Sequence, residues 1–213
     1  KGLIETGITV VDMGILPTPV NYYSKYEINV DGAVQITGSH NPPEYNGFKI
    51  SLNQRAFHSK QIQDLKELIE TSDFEVGEGN VKNNNILPIY MDMLLSKISL
   101  DRKLKVAIDC GNAAGCITAP IIFKKLGVEV TELFCDIDGT FPNHHPDPTE
   151  DNNLVDLIAE VQKGGYDFGV AFDGDADRLV VVDEQGDIIR ADYLIALFLP
   201  EIIKNEGDAI VYD

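Results

Sequence analysis

Basic residues are scarce in this chain of 213 residues, where 17 lysines and arginines face 35 aspartates and glutamates, a net charge of −18. A field of this sign repels a phosphate backbone and an anionic membrane surface, so nucleic acid and membranes are poor partners. It also repels an anionic substrate at long range. A phosphate site in this chain must therefore be built locally from a few cations, backbone amides or a metal ion.

Cysteine is scarce too, and its number is odd. Cys110, Cys116 and Cys135 lack the paired spacing of a zinc finger and cannot make a complete disulfide framework, so they are most simply buried apolar residues. The sequence has no apolar run of about 18 residues, and no basic and apolar leader follows Lys1. We expect a soluble protein in the reducing cytoplasm.

Both ends of the sequence look cut. The chain begins at Lys1 without a methionine, and it stops one residue after a strand-like run at 209–212. We therefore expect a fragment of a longer protein.

Strand-like and helix-like patterns alternate along the chain. Apolar runs predict strands at 8–11, 33–36, 48–52, 106–109, 128–134, 168–172, 179–183 and 209–212. Helical spacing predicts helices up to residue 25 and at 59–70, 88–98, 119–126, 153–162 and 191–204. This alternation predicts an α/β protein of two consecutive three-layer α/β units with mostly parallel mixed sheets.

The best candidate for a boundary between units is Gly77 to Asn85, which is rich in glycine, asparagine and charge and has no periodicity. We place the first unit at residues 1–86, the second at 87–188 and the start of a third at 189–213.

Three aspartates alternate in one short loop. Asp173, Asp175 and Asp177 lie between two apolar strands, and we expect Gly174 to make the loop pliable, so that the carboxylates converge on one hard cation. Without a cation, three carboxylates this close would raise one another's pKa. The bland alternative is a solvated acidic turn.

A more specific alternative for this loop is a calcium-binding EF-hand, because Glu184 is the twelfth residue counted from Asp173 and an EF-hand loop takes a Glu ligand at its twelfth position. However, Arg178 stands where that loop needs glycine, and strands rather than helices flank it.

A second candidate segment surrounds Ser39, which follows a strand in a loop of Gly and Pro residues. His40 is its neighbour, and Lys49 lies beyond the next turn. An exposed serine hydroxyl can act as a covalent nucleophile or carry a phosphate. The serine is not in a G-x-S-x-G elbow, which disfavours an α/β hydrolase, and taken alone it is most often a turn residue.

The two segments complement each other chemically. A serine phosphate is an oxygen-rich dianion, and Mg²⁺ prefers a few carboxylates together with phosphate oxygens. The aspartate loop alone has too few ligands for six-coordination, so each segment provides what the other lacks.

At this point a family resemblance becomes specific. Thr37 to Lys49 resembles the phosphoserine loop of α-D-phosphohexomutases, and Asp173 to Arg178 resembles their metal loop, with Ala176 where glycine is common. The order and spacing of the loops fit, and the likeness extends through essentially the whole chain. Within the superfamily the chain is most similar to the bacterial phosphomannomutase/phosphoglucomutase branch, partly through Phe141 to Pro148.

The resemblance implies that Ser39 carries the phosphoryl group and joins the aspartates Asp173, Asp175 and Asp177 in holding Mg²⁺. Lys49, His40 and Arg178 would surround the transferring phosphate, with Lys49 or His40 in a proton-transfer role. The implied partners are a hexose phosphate and a hexose 1,6-bisphosphate.

In that family the third domain reads the sugar and the fourth grips the second phosphate. Neither a Gly-Glu-x-Ser-Gly nor an Arg-x-Ser-Gly-Thr sequence occurs in this chain. We therefore expect the fragment to bind Mg²⁺ and accept phosphate without turning over sugar phosphates. The competing classes are a non-enzymatic divalent-metal module and a serine phosphotransferase or phosphatase that does not isomerise sugars.

Two further segments have structural and functional interpretations. His144, His145 and Asp147 form a possible metal site, but adjacent histidines point apart on an extended chain, which favours a rigid connector. Gly111 to Gly115 can cradle a phosphate at a helix start. It lacks the G-x-G-x-x-G pattern, so a tight strand-to-helix turn is favoured.

Overall fold

The computed structural model describes residues 1–205, 207 and 209–210. Its helices are α1 (Gly2–Glu5), α2 (Thr18–Glu27), α3 (Lys60–Thr71), α4 (Leu87–Lys97), α5 (Ala119–Lys125), α6 (Val155–Val161) and α7 (Ala191–Ile202). Its strands are β1 (Val10–Asp12), β2 (Gly32–Ile36), β3 (Phe48–Leu52), β4 (Arg55–Ala56), β5 (Val81–Asn83), β6 (Lys105–Asp109), β7 (Glu129–Leu133), β8 (Phe168–Phe172), β9 (Leu179–Asp183) and β10 (Ile188–Ile189).

The larger sheet has five strands in the order β10-β9-β8-β6-β7. Strand β6 pairs in parallel with both β7 and β8, whereas β9 runs antiparallel to β8, and β10 antiparallel to β9. The loop from β8 to β9 spans only 173–178, which is too short for the crossover that parallel strands require. The sheet is therefore mixed, and the predicted α/β class is confirmed.

Helices cover both faces of this sheet, because its central strands are apolar on both sides. Val106 and Ile108 of β6 pack with the α5 side, and Ala107 packs with Leu157 and Val161 of α6. All of these side chains are fully buried. Alternation along β6 thus divides the core into two layers and holds the carboxyl ends of β6 and β8 in fixed positions.

The other strands form two small sheets. β2, β3 and β4 are antiparallel, while β1 pairs in parallel with β5. β2 and β3 are joined by the loop at 37–47, with Gln35 opposite Lys49. This register places the serine loop and Lys49 at the same edge of the small sheet.

Strand β5 lies inside Gly77 to Asn85, which the sequence predicts as an irregular boundary. Its residues are exposed and mostly polar, so the sequence has no apolar pattern that would predict a strand there. The predicted units at 1–86, 87–188 and 189–213 stay a prediction.

Other differences lie at the ends of elements. The helix predicted at 153–162 begins as a 3-10 turn, Asp151–Leu154, before α6. Of the strand predicted at 209–212, the last two positions lie outside the described residues, and Ala209 and Ile210 belong to no strand. Within the described part of the chain, no helix has both the length and the apolar character needed to span a membrane.

The three cysteines are free thiols. Cys110 is fully buried, and half-buried Cys116 and Cys135 pack against the same apolar cluster. This agrees with the expectation that they are apolar packing residues.

Candidate functional site

The acidic loop leaves the carboxyl end of β8 as a tight turn. The Ala176 amide donates to the Asp173 carbonyl at 3.0 Å, and the Asp173 amide donates to the Arg178 carbonyl at 3.2 Å. Ala176 has a left-handed φ of +56°, a backbone conformation that glycine adopts with less strain than a residue with a side chain. Strands flank the loop on both sides, which excludes the EF-hand alternative.

We predicted that Gly174 makes this loop pliable, but its φ is not among the positive values. Glycine is needed at position 174 because the two backbones approach closely there. A Cβ at Gly174 would stand 2.0 Å from the backbone oxygen of Ser39. The missing side chain lets the serine loop and the acidic loop touch.

The three aspartates converge as predicted. One carboxylate oxygen from each of Asp173, Asp175 and Asp177 lies within 4.8 Å of the others. Asp173 and Asp175 are buried, and Asp175 Oδ1 has no hydrogen-bond partner within the described residues. A buried carboxylate oxygen without a partner is costly unless a cation binds it. The residues therefore fit Mg²⁺, which takes a few carboxylates plus other oxygens.

The pKa values reflect this crowding. Burial, reinforced by the charges of Asp175 and Asp177, raises the pKa of Asp173 to about 6. Burial acts in the same direction on Asp175, but hydrogen bonds from Lys49 and Thr18 outweigh it and hold the pKa of Asp175 below its ordinary value. The site therefore concentrates negative charge in a buried position, and nearby positive groups are needed to balance it.

Ser39 meets the acidic loop although 134 residues separate it from Asp173. Its Oγ donates to Asp173 Oδ2 at 3.0 Å, and its amide donates to Thr37 Oγ1 at 2.7 Å. Ser39 has a left-handed φ of +52°, which is uncommon for a residue with a side chain. The turn directs the hydroxyl toward the buried carboxylate of Asp173.

Lys49 brings positive charge from strand β3. Its Nζ donates to Asp175 Oδ2 at 2.5 Å and to Asp177 Oδ2 at 2.7 Å. Burial by itself would lower the pKa of Lys49, but hydrogen bonds to the two carboxylates outweigh that effect and raise it. The ammonium is held protonated against the acidic loop.

His40 and Arg178 lie on the solvent side of the serine. His40 Nδ1 is 3.3 Å from Ser39 Oγ, and Arg178 Nη1 is 3.1 Å from the same nitrogen. Arg178 Nη1 also lies 3.4 Å from His40 Nε2, so the guanidinium faces both ring nitrogens and does not select one tautomer. His40 Nδ1 therefore lies between the Ser39 hydroxyl and the Arg178 guanidinium.

The structure adds two residues that the sequence analysis missed as parts of the site. Thr18 Oγ1 donates to Asp175 Oδ2 at 2.6 Å, and His145 Nε2 donates to the His40 carbonyl at 2.6 Å. Thr18 stands between two prolines, and no local signal distinguishes it from a helix-start residue.

His144, His145 and Asp147 do not gather into a metal group. His144 faces Asp109, His145 faces the serine loop, and Asp147 accepts hydrogen bonds from Thr149. At Gly111 to Gly115 the chain makes a tight turn into a 3-10 helix, Ala114–Ile117.

Two family models match this chain. The alpha/beta/alpha domain I of phosphoglucomutase/phosphomannomutase matches residues 1–76, and alpha/beta/alpha domain II matches residues 88–186. The chain belongs to the phosphoglucomutase/phosphomannomutase family. The resemblance inferred from the sequence is confirmed.

Curated relatives agree with this membership. A phosphomannomutase/phosphoglucomutase of Pseudomonas putida is 44% identical over 214 residues, covering 100% of this chain and 46% of the relative. A phosphoglucomutase of Neisseria meningitidis is 44% identical over 216 residues, covering 100% of this chain and 47% of the relative. A probable phosphoglucosamine mutase of Methanobrevibacter smithii is 38% identical over 98% of the chain, covering 47% of the relative. The chain spans about half the length of these relatives.

A solved structure shows the same fold. A phosphoglucomutase/phosphomannomutase family protein from Burkholderia thailandensis superposes with a TM-score of 0.91 at 43% sequence identity. The match covers 94% of this chain and 46% of that chain.

Proposed function

We propose that this chain provides the phosphoserine loop and the magnesium loop of a mutase that interconverts hexose 6-phosphate and hexose 1-phosphate. The observation that supports the proposal is the 3.0 Å distance between Ser39 Oγ and Asp173 Oδ2, because it brings a hydroxyl beside the three carboxylates that could hold one cation. The names of the relatives support hexose phosphates as the substrate class.

In the proposed cycle, the phosphoryl group on Ser39 passes to a hexose hydroxyl. The serine O–P bond breaks as the sugar O–P bond forms, which yields a hexose 1,6-bisphosphate. After the bisphosphate turns over in the site, its other phosphoryl group returns to Ser39 and the isomeric monophosphate leaves. The attacking hydroxyl gives up its proton to a base in each transfer.

Each charged residue has a proposed part in this cycle. Ser39 and the three aspartates would hold Mg²⁺, which would supply positive charge next to the transferring phosphoryl group. Lys49 and Arg178 bind the phosphoryl oxygens from the two sides. His40 accepts the proton through Nδ1, since that nitrogen lies 3.3 Å from Ser39 Oγ. Lys49 is the alternative proton-transfer residue, and its raised pKa favours the protonated form, which can donate a proton but cannot accept one.

We also propose that these 213 residues bind Mg²⁺ and accept phosphate but do not turn over sugar phosphates. Motifs that would read the sugar and grip the second phosphate do not occur in the sequence. We propose a cytoplasmic location, which the three free thiols support.

The test is intact-mass analysis after incubation with a hexose 1,6-bisphosphate and Mg²⁺. We expect one added phosphoryl group on the unmodified chain and none on Ser39→Ala. Ser96→Ala is the matched control, because that hydroxyl is exposed near the end of α4 and donates to the Met93 carbonyl. It should gain phosphate like the unmodified chain.

Two outcomes would contradict the proposal. An unmodified chain that binds calcium in preference to Mg²⁺ and takes up no phosphate is a metal module. A coupled assay that finds sustained conversion of hexose 1-phosphate by this chain would overturn the expected lack of turnover.

A further inference from the structure

The segment Phe141 to Thr149, between β7 and α6, has no part in the proposed chemistry. It is fixed to the half of the chain that carries the acidic loop. Asn143 Nδ2 donates to Asn112 Oδ1 at 2.7 Å, which joins the segment to the turn after β6. Within the segment, Asp147 Oδ1 accepts from the amide and hydroxyl of Thr149 at 3.0 and 2.6 Å. We call this hydrogen-bonded segment the platform.

His144 anchors the middle of this platform. Its Nε2 lies 3.2 and 3.1 Å from the two carboxylate oxygens of Asp109, and its Nδ1 lies 2.9 Å from the His145 carbonyl. Both ring nitrogens face acceptors, so both donate. Asp109 is 1% exposed and ends β6, so the platform is tied to an inner strand of the sheet.

The next residue, His145, reaches across to the serine loop. Its Nε2 donates to the His40 carbonyl at 2.6 Å, and Phe141 packs edge-on against its ring at a centroid distance of 6.4 Å. The aromatic contact restricts the ring, so the donor is held in place.

This hydrogen bond differs from the other polar links between the serine loop and the acidic half. Among the described residues, the other side-chain links join Ser39 to Asp173 and His40 to Arg178. Those groups take part in the proposed phosphoryl transfer, so their bonds change during the cycle. The bond from His145 goes to a backbone carbonyl and can stay intact throughout.

We propose that His145 is a positioning residue for phosphoryl transfer to and from Ser39. By binding the His40 carbonyl, it maintains the left-handed backbone conformation at Ser39. The hydroxyl then stays beside Asp173 and beside His40 Nδ1. A serine in this backbone region needs such outside support. The inference rests on the proposed function of Ser39.

The test compares two substitutions of His145. His145→Phe keeps a ring against Phe141 but removes the donor, whereas His145→Gln keeps an N–H donor at a similar reach. We expect the maximal rate of Ser39 phosphorylation by hexose 1,6-bisphosphate with Mg²⁺ to fall about tenfold in His145→Phe, the effect of one lost hydrogen bond. His145→Gln should recover most of that rate. The bisphosphate concentration for half-maximal rate should change less than about twofold in both.

His58→Phe is the matched control, because it makes the same change at an exposed histidine in another loop. It should leave the rate unchanged. Melting temperatures and Mg²⁺ titrations of all variants separate unfolding or loss of the metal from loss of positioning. If His145→Phe does not fold, His145→Asn replaces it, since its shorter side chain keeps the amide but cannot reach the carbonyl.

The inference is overturned if His145→Phe phosphorylates at the unmodified rate, or if His145→Gln is no better than His145→Phe. If the unmodified chain takes up no phosphate, the proposed function fails separately. Hydrogen exchange of the amides at 39–41 then decides the positioning role. Faster exchange in His145→Phe with recovery in His145→Gln supports it, and equal exchange in all variants overturns it.

Discussion

At the scale of single residues, the charge balance of the site depends on Lys49. Its ammonium contacts Asp175, whose side chain is 2% exposed, and Asp177. With divalent ions chelated, Lys49→Met should lower the free energy of unfolding by about 2–3 kcal/mol, because a buried carboxylate loses its partner. Mg²⁺ should bind more tightly to the variant, since no ammonium competes for the carboxylates. Urea unfolding and Mg²⁺ titration measure the two effects.

Lys60→Met is the control for this prediction. Lys60 pairs with Asp64 on the surface of α3, where its side chain is 84% exposed, so its loss should change stability by about 0.5 kcal/mol or less. Weaker Mg²⁺ binding by Lys49→Met would show that the ammonium supports the metal site and does not compete with the ion.

The residues that the sequence predicts for the site are the ones with recognisable local sequence around them. Ser39 and the aspartates stand in short loops whose composition indicates their chemistry. Thr18 has no such signal around it, and the sequence around His145 indicates a connector or a metal ligand rather than a contact with the serine loop. Their contacts join positions 157 and 105 residues apart in the chain. Their contribution arises only from how the two halves pack.

At the scale of elements, strand β8 and helix α6 approach closely because Gly169 has no side chain. A Cβ there would stand 2.8 Å from Val161 Cγ2 and 2.9 Å from Leu157 Cδ1, both in fully buried side chains. Gly169→Ala should therefore cost about 1–3 kcal/mol of unfolding free energy through overpacking. Chemical denaturation measures it.

Gly139→Ala is the matched change at a glycine whose added Cβ would meet nothing within 4 Å. It should alter stability by less than about 0.5 kcal/mol. Equal stabilities of the two variants would mean that α6 can move away from the sheet at no cost.

His144 joins the segment Phe141 to Thr149 to Asp109 at the end of β6, and the stability that this contact contributes should depend on pH. Burial acts to lower the pKa of His144, but hydrogen bonds to Asp109 and the His145 carbonyl outweigh it, so the pKa is raised above the ordinary 6.5. The charges that face it are Asp109 and Asp156. A raised folded-state pKa means that the stabilisation is complete below the ordinary value and is lost as pH rises through the folded-state pKa.

His144→Gln should therefore be less stable than the unmodified chain by about 2 kcal/mol at low pH, and the gap should shrink as pH rises. Denaturant unfolding from about pH 5 to about pH 9 follows the gap. His58→Gln, at an exposed histidine, should show no such trend. A gap that stays constant or widens with pH would contradict a protonated His144.

Elements with a clear apolar period could be predicted from the sequence, and short polar ones could not. The central strands β6, β8 and β9 are found because both faces of the sheet must be apolar. The strand β5 is polar and exposed, and its pairing with β1 crosses most of the first half of the chain. Such pairing is decided by topology rather than by local pattern.

At the scale of the whole molecule, the site exists only where two halves of the chain meet. The serine loop comes from the antiparallel β2-β3 hairpin, and the acidic loop from the end of β8 in the five-stranded sheet. Neither loop has a complete set of ligands for Mg²⁺ by itself. The contact between the loops is therefore as important as the residues they carry.

Gly174 is the point at which this contact can be tested. Any side chain there collides with the Ser39 backbone oxygen, since a Cβ would stand only 2.0 Å away, and the carbonyl cannot rotate aside as a side chain can. Gly174→Ala must displace the serine loop from Asp173 by on the order of 1 Å to restore ordinary contact distances.

A displacement of this size should lower the rate of Ser39 phosphorylation by about a hundredfold. Mg²⁺ affinity should fall by only a few fold, because the carboxylates of Asp173, Asp175 and Asp177 stay within their own loop. Gly139→Ala serves again as the control and should keep both properties. If Gly174→Ala phosphorylates at the unmodified rate while it binds Mg²⁺ normally, the direct approach of the two loops is not what enables the transfer, and the proposed role of the contact fails.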